Sequence, residues 1–97
     1  MKPKNIAYLK SLANALSPSV TVGKGEIDDR LIQSVENALK AHELIKVRVL
    51  SSSEYSRDEI GPLLAKATSS VHVSTIGRIV TLYKAKKDPK IILPFLE

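Results

Sequence analysis

Val20-Thr21-Val22-Gly23-Lys24-Gly25-Glu26-Ile27 carries a β-favouring triplet through a two-glycine loop towards a helix that starts near Asp28. Gly23 and Gly25 permit positive φ and a close approach to the main chain. Lys24 between them is the one long side chain at the tip. Backbone N–H groups at a helix start attract anions, so phosphate is a natural guest for such a loop. The same Gly-Lys-Gly also serves shape alone at strand-to-helix turns. Glu26, Asp28 and Asp29 already answer the positive end of the helix. Any phosphate is therefore assigned to Lys24 and the loop N–H groups, not to the helix axis.

Upstream, Ile6, Leu9, Leu12, Ala13 and Leu16 recur at helical spacing, which predicts an amphipathic helix over Lys4 to Leu16. Pro18 disfavours helical geometry at Ser17 and ends it. A short strand is expected over Ser19 to Val22. Downstream, Asp28 caps a second helix to His42 with a buried stripe of Ile27, Leu31, Val35, Ala38 and Leu39. Leu44 to Leu50 reads as a central strand: Ile45, Val47 and Val49 alternate with Lys46 and Arg48, leaving one face apolar and the other basic. That basic face is either a solvated surface or a contact surface.

Ser51-Ser52-Ser53 is a loop with no histidine or acid beside it in a nucleophile motif. Ser56-Arg57-Asp58-Glu59 has capping-box form, and Ile60, Leu63, Leu64 and Ala67 are expected on the buried side of a third helix. Pro62 is expected to kink its first part or to move the regular start to about Gly61. Val71 to Ile76 and Ile79 to Lys84 read as strands joined at Gly77-Arg78, a two-residue hairpin turn with Arg78 at its tip. The order is α-β-α-β-α-β-β, an α/β domain with a four-stranded mixed sheet. Helices two and three share one side of it if both crossovers move the same way.

The 97 residues suffice for one domain with a modest core, and 43% hydrophobic with 26% charged residues is ordinary globular composition. With no cysteine, disulfides and thiolate metal sites are excluded. No apolar run reaches membrane length and no signal core follows Met1-Lys2-Pro3-Lys4, so a soluble, cytoplasmic protein is expected. The net charge of +5 and the pI near 9.6 fit a polyanionic partner. Its distribution is uneven. Residues up to Gly25 hold Lys2, Lys4, Lys10 and Lys24 and no acid; Glu26 to Glu59 holds eight acids against five bases, a net −3. Ile60 to Glu97 returns to +4, with Lys66, Arg78, Lys84, Lys86, Lys87 and Lys90 less Asp88 and Glu97. The surplus sits at the two chain ends, which form one basic face if the fold joins them around the glycine loop.

Several short pieces recur together in one family. They are Leu9-Lys10-Ser11-Leu12-Ala13 with Leu16 and Pro18, then Val22-Gly23-Lys24-Gly25, then Ala38-Leu39 and His42-Glu43-Leu44-Ile45-Lys46-Val47. Ile76-Gly77-Arg78 with Leu82-Tyr83, and Lys90-Ile91 with Leu93-Pro94, complete the set. In order and spacing the chain resembles the YhbY/CRM family, the chloroplast RNA splicing and ribosome maturation domain, in its single-domain prokaryotic form. The likeness runs from Leu9 to Pro94, and residues 1–97 are read as one domain of this type. It implies a fold like the C-terminal domain of translation initiation factor 3. It also implies RNA binding, with large-ribosomal-subunit precursors as the setting of the prokaryotic members. A GxxG loop is the family's RNA-contacting feature, similar to the loop of KH domains. Gly23 matches its first glycine; the fourth position is Glu26, and Gly25 supplies a glycine one residue earlier.

The resemblance assigns Gly23, Lys24, Gly25 and the hairpin tip Arg78 to RNA contact. The charge map adds Lys2, Lys4, Lys10, Lys84, Lys86 and Lys87. The leading expectation is a non-enzymatic, monomeric binder of ribosomal RNA or a pre-large-subunit particle, with no cofactor, metal or small-molecule substrate. Three Tyr and one Phe argue against a stacking platform across the sheet, so phosphate and shape readout are expected. The alternative is a protein-interaction module that meets a ribosomal protein or maturation factor through the acidic outer face of helix two. An enzyme is the poorest fit: His42 and His72, the only histidines, read as a helix-end cation and a strand residue.

Overall fold

The structure, a computed structural model, describes residues 1–23, 27–50 and 55–95. Three helices and four strands follow in the expected order: α1 (Pro3–Ala13), β1 (Val20–Val22), α2 (Asp29–His42), β2 (Leu44–Val49), α3 (Arg57–Thr68), β3 (Val71–Ile76) and β4 (Ile79–Tyr83). The sheet order is β1-β2-β4-β3, with β1 parallel to β2 and β4 antiparallel to both neighbours. The α3 crossover therefore carries the chain from β2 past the place that β4 later fills.

Helix boundaries follow from local chemistry. In α2 the Asp28 carboxylate accepts from Leu31 N at 2.8 Å, and in α3 the Ser56 hydroxyl accepts from Glu59 N at 3.2 Å, each satisfying one orphan N–H. The first helix stops at Ala13, three residues short of the expected Leu16, and Leu16 is 37% exposed. The third starts at Arg57 with Pro62 inside it, not at Gly61. A proline there removes one N–H that would have reached back towards Asp58, near an exposed helix start where water can take its place. Its buried side also differs from the expected stripe of Ile60, Leu63, Leu64 and Ala67. Ile60, Gly61, Leu64, Ala65 and Thr68 face the sheet, whereas Leu63 and Ala67 are exposed. Gly61 explains the rotation: a Cβ there would lie 2.6 Å from His72 Nε2, so the backbone of α3 sits directly on the His72–Thr75 pair.

The sheet divides two cores. On one face Ile45, Val47, Val49, Val80, Leu82 and Val22 meet Val35 and Leu39 of α2 and Ile60, Leu64 and Ala65 of α3. Helices α2 and α3 thus share a side, as a same-direction pair of crossovers demands. On the other face Leu44, Val73 and Tyr83 meet Leu9 and Ala13 of α1, with Ile91 and Leu93 of the tail packed alongside. The C-terminal segment is tied across that second core. Asn5, fully buried, donates Nδ2–H to the Phe95 carbonyl at 2.9 Å and accepts from Phe95 N at 3.1 Å. Glu43, also buried, accepts at Oε1 from Lys90 N (2.6 Å) and Ile91 N (3.3 Å). It ends α2 at φ 61°.

Tyr83 packs in the same core under α1, within reach of the Glu43 charge. Burial first, and the Glu43 charge second, raise its phenol above the ordinary value of 10.0. A raised acid pKa means the folded state holds its proton where the unfolded chain has lost it, so the contribution is complete below pH ~10 and fades as pH climbs through the raised value. Denaturation midpoints of the parent should therefore fall more steeply above pH ~10 than those of Tyr83→Phe. Parallel alkaline limbs for the two proteins would contradict this.

Candidate nucleic-acid interface

Side-chain alternation sorts the α1 face of the sheet into three rows running across the strands. The first row, Leu44, Tyr83 and Val71 in register, is the floor of the α1 core. The second places Lys46 opposite Thr81 and Thr81 opposite Ser74. A β-bulge between His72 and Ser74 leaves Val73 without a partner of its own, which lets Val73 enter the α1 core while Ser74 stays in the second row. The third runs Thr21, Arg48, Ile79 and Ile76 across all four strands. Thr21, Arg48 and Ile76 are exposed, Ile76 to 69%. Helix α1 covers the first row and leaves the third open.

The open end of this face is also the end where the loops gather. The hairpin turn puts Gly77 at φ 59° and Arg78 at the tip, and the Arg78 carbonyl accepts from Val49 N at 2.8 Å. Leu50 N in turn donates to the Val22 carbonyl at 2.9 Å, which brings Gly23 beside the end of β2. Gly23, Arg78 and Arg48 therefore share one end of the sheet. Lys24 and Gly25 lie outside the described residues. A side chain at Gly77 strains the turn, and Gly77→Ala is expected to lower stability by about 1 kcal/mol in a denaturant titration. An unchanged midpoint would contradict that.

Lys10 joins the same surface from α1. It lines a groove of about 460 Å³ between that helix and the sheet, together with Lys46, Ser74, Ile76, Ile79 and Thr81. No acid occurs in α1 or in any of the four strands. The described acids belong to α2, α3, their caps and Asp88. Among the described residues, α1 and the four strands thus carry no carboxylate, whereas α2 and α3 carry both signs.

The basic segment from Lys84 onward does not join the hairpin end of the sheet. β4 starts at the hairpin tip and ends at Tyr83, opposite Leu44, so Lys84 onward begins at the far end of the sheet, about 15 Å away at the rise of a strand. There Lys84 Nζ donates to the Thr68 carbonyl at 2.8 Å and Lys86 Nζ to the Ala41 carbonyl at 3.2 Å, completing the ends of α3 and α2. Lys87 is exposed next to them. At the start of α1, Lys4 Nζ stands 5.2 Å from the centre of the Phe95 ring, and Lys2 is the N-cap. The residues that the linear charge sum missed are Lys46 and Arg48, which it placed in the net-acidic middle of the chain. Their alternation with Ile45, Val47 and Val49 was the available signal.

Among the described residues, the hairpin end of this mixed α/β sheet thus gathers Arg48 and Arg78 with no carboxylate on the strands or on α1. The model of the CRS1 / YhbY (CRM) domain matches residues 1–84. The "Probable RNA-binding protein YqeI" of Bacillus subtilis is 40% identical over 87 residues, covering 90% of this chain and 91% of the relative. An "RNA-binding protein" of Haemophilus influenzae is 35% identical over 94 residues, covering 97% and 95%. The solution structure of hypothetical protein SAV1595 from Staphylococcus aureus superimposes with a TM-score of 0.81 at 35% identity over 97% of this chain and 99% of that one. The chain belongs to the CRS1/YhbY (CRM) domain family.

Proposed function

We propose that this protein binds RNA without catalysis, and that its cytoplasmic target is ribosomal RNA in large-subunit precursors. The observation that carries this reading is the α1 side of the sheet, where among the described residues α1 and the strands hold no acid. Lys10 and Lys46 line one groove there, and Arg48 and the hairpin tip Arg78 stand at the adjoining end. Cations there neutralise phosphates, and Gly23 beside the end of β2 opens the Gly-Lys-Gly stretch whose Lys24 is assigned to the same role. The RNA-binding names of relatives that match nearly the whole chain support the same class of ligand. Lys84 and Lys86 fall outside this interface because their ammonium groups serve helix ends.

The test is a salt series on large-subunit ribosomal RNA fragments for the parent chain and Lys24→Glu. Affinity should fall with salt at a log–log slope of roughly 0.7–0.9 per phosphate contacted. The variant should bind more weakly with a slope shallower by about one contact. An unaffected variant would remove the loop from the interface. Absence of salt-sensitive binding by the parent would favour the acidic face of α2 and a protein partner.

A further inference from the structure

We propose that the groove between α1 and the sheet receives a single unpaired nucleobase, an inference that rests on the RNA reading and gives it a form of substrate. Its volume of about 460 Å³ falls within the roughly 300–1,000 Å³ of small-ligand clefts. Ile76 and Ile79 supply an apolar floor and Ala7 an apolar wall. Asn14 and Ser74 supply polar groups. A nucleobase has that division: two apolar faces and an edge of donors and acceptors, and a carboxamide offers both to such an edge.

Lys10 and Lys46 line the same groove, and Arg48 stands in register with Ile79 on its floor. They hold the phosphates on either side of an inserted base. With no acid in α1 or the sheet, nothing in the walls opposes that charge. An apolar peptide or acyl chain would use Ile76 and Ile79 but leave the cations without partners. A base in a duplex stays stacked and cannot enter a recess, so the occupant is an unpaired nucleotide. The count is one. The four strands contain a single tyrosine and no phenylalanine or tryptophan, and that tyrosine, Tyr83, is buried under α1. A run of bases therefore finds no platform. The 69% exposure of Ile76, beside a charged hairpin tip, has a use in this arrangement.

The experiment compares a short single-stranded oligoribonucleotide with an abasic strand of equal length and charge. The parent should bind the base-bearing strand about tenfold more tightly, the scale expected for removing one base's faces from water. Ala7→Phe fills the groove from an exposed position on α1 and keeps every charge. It should lose the tenfold preference while retaining the abasic affinity and its salt slope. Ile76→Ser, at an exposed strand end, should lose part of the preference and serves if the phenylalanine disturbs α1. Equal, salt-dependent binding of the two strands by the parent would overturn the groove and leave RNA binding intact. A preference that survives both variants would place the base elsewhere. Failure of both strands to bind would overturn the RNA reading and the groove with it.

Discussion

Replacing Lys46 and Arg48 together by glutamate is expected to weaken RNA binding at least about a hundredfold near physiological salt and to reduce the salt slope by roughly 1.4–1.8. Both side chains leave the same face of β2, and both stand beyond the row that α1 buries. The exchange removes two phosphate contacts and puts two negative charges against the backbone, so it acts on affinity through loss and through repulsion. Its cost to folding is small: Arg48 is exposed, and Lys46 is half-buried on a face where Thr81 is its neighbour. The control is Lys86→Glu with Lys87→Glu, which applies the same charge change at the other end of the sheet. Under about a threefold loss is expected there. Comparable losses for the two pairs would mean that net charge, not this face, governs binding.

The second large effect is on stability. Glu43→Ala is expected to cost about 2–4 kcal/mol and to lower Tm by roughly 10–20 °C. The carboxylate joins the end of α2 to the tail through Lys90 N and Ile91 N, and the Glu43 carbonyl accepts from Lys84 N at 2.8 Å. Deleting the side chain strips two N–H groups of their acceptor. It also loosens Ile91 and Leu93, which close the α1 core. Glu43→Gln separates the bond from the charge. It keeps an acceptor for the tail and removes the charge, but leaves a polar amide nitrogen where Oε2 is buried without a hydrogen-bond partner. The change expected is within about 1 kcal/mol. Alanine and glutamine variants of equal stability in thermal unfolding would show that the tail is not held at this point.

Much of this fold can be read from the chain because its local signals agree. Asp28 and Ser56 announce helix starts, Ile45, Val47 and Val49 alternate through a strand, and Gly77-Arg78 marks a hairpin. What could not be read depends on partners distant in sequence. Nothing near β2 says that β4, not β3, lies beside it, because either antiparallel or crossover pairing suits its side chains. Glu43 appears as one more acid after a helix until the tail returns 47 residues later to donate to it. Leu63 and Ala67 keep the helical spacing of a buried stripe, but Gly61 lets α3 approach on a neighbouring face and turns them outward.

The candidate site was legible in parts. Gly23, Arg78 and Lys10 were visible as residues, and the basic side of β2 was visible as a pattern. Their assembly was not. A sum over consecutive residues dilutes Lys46 and Arg48 with the carboxylates of α2 and α3, which the fold sends to the other layer. The same sum joins Lys84 and Lys86 to the basic ends, although β4 carries them away from the hairpin tip. Charge acts through space, so only the strand order shows which cations share a surface.

The most direct measurement is an amide chemical-shift map of the 15N-labelled protein as a large-subunit ribosomal RNA fragment is added. The proposed interface predicts shifts concentrated at Lys10, Thr21, Gly23, Lys46 to Arg48 and Ser74 to Thr81, with α2, α3 and Lys84 to Lys90 unmoved. Shifts centred on the outer faces of α2 and α3, or on Lys84 to Lys90, would contradict it.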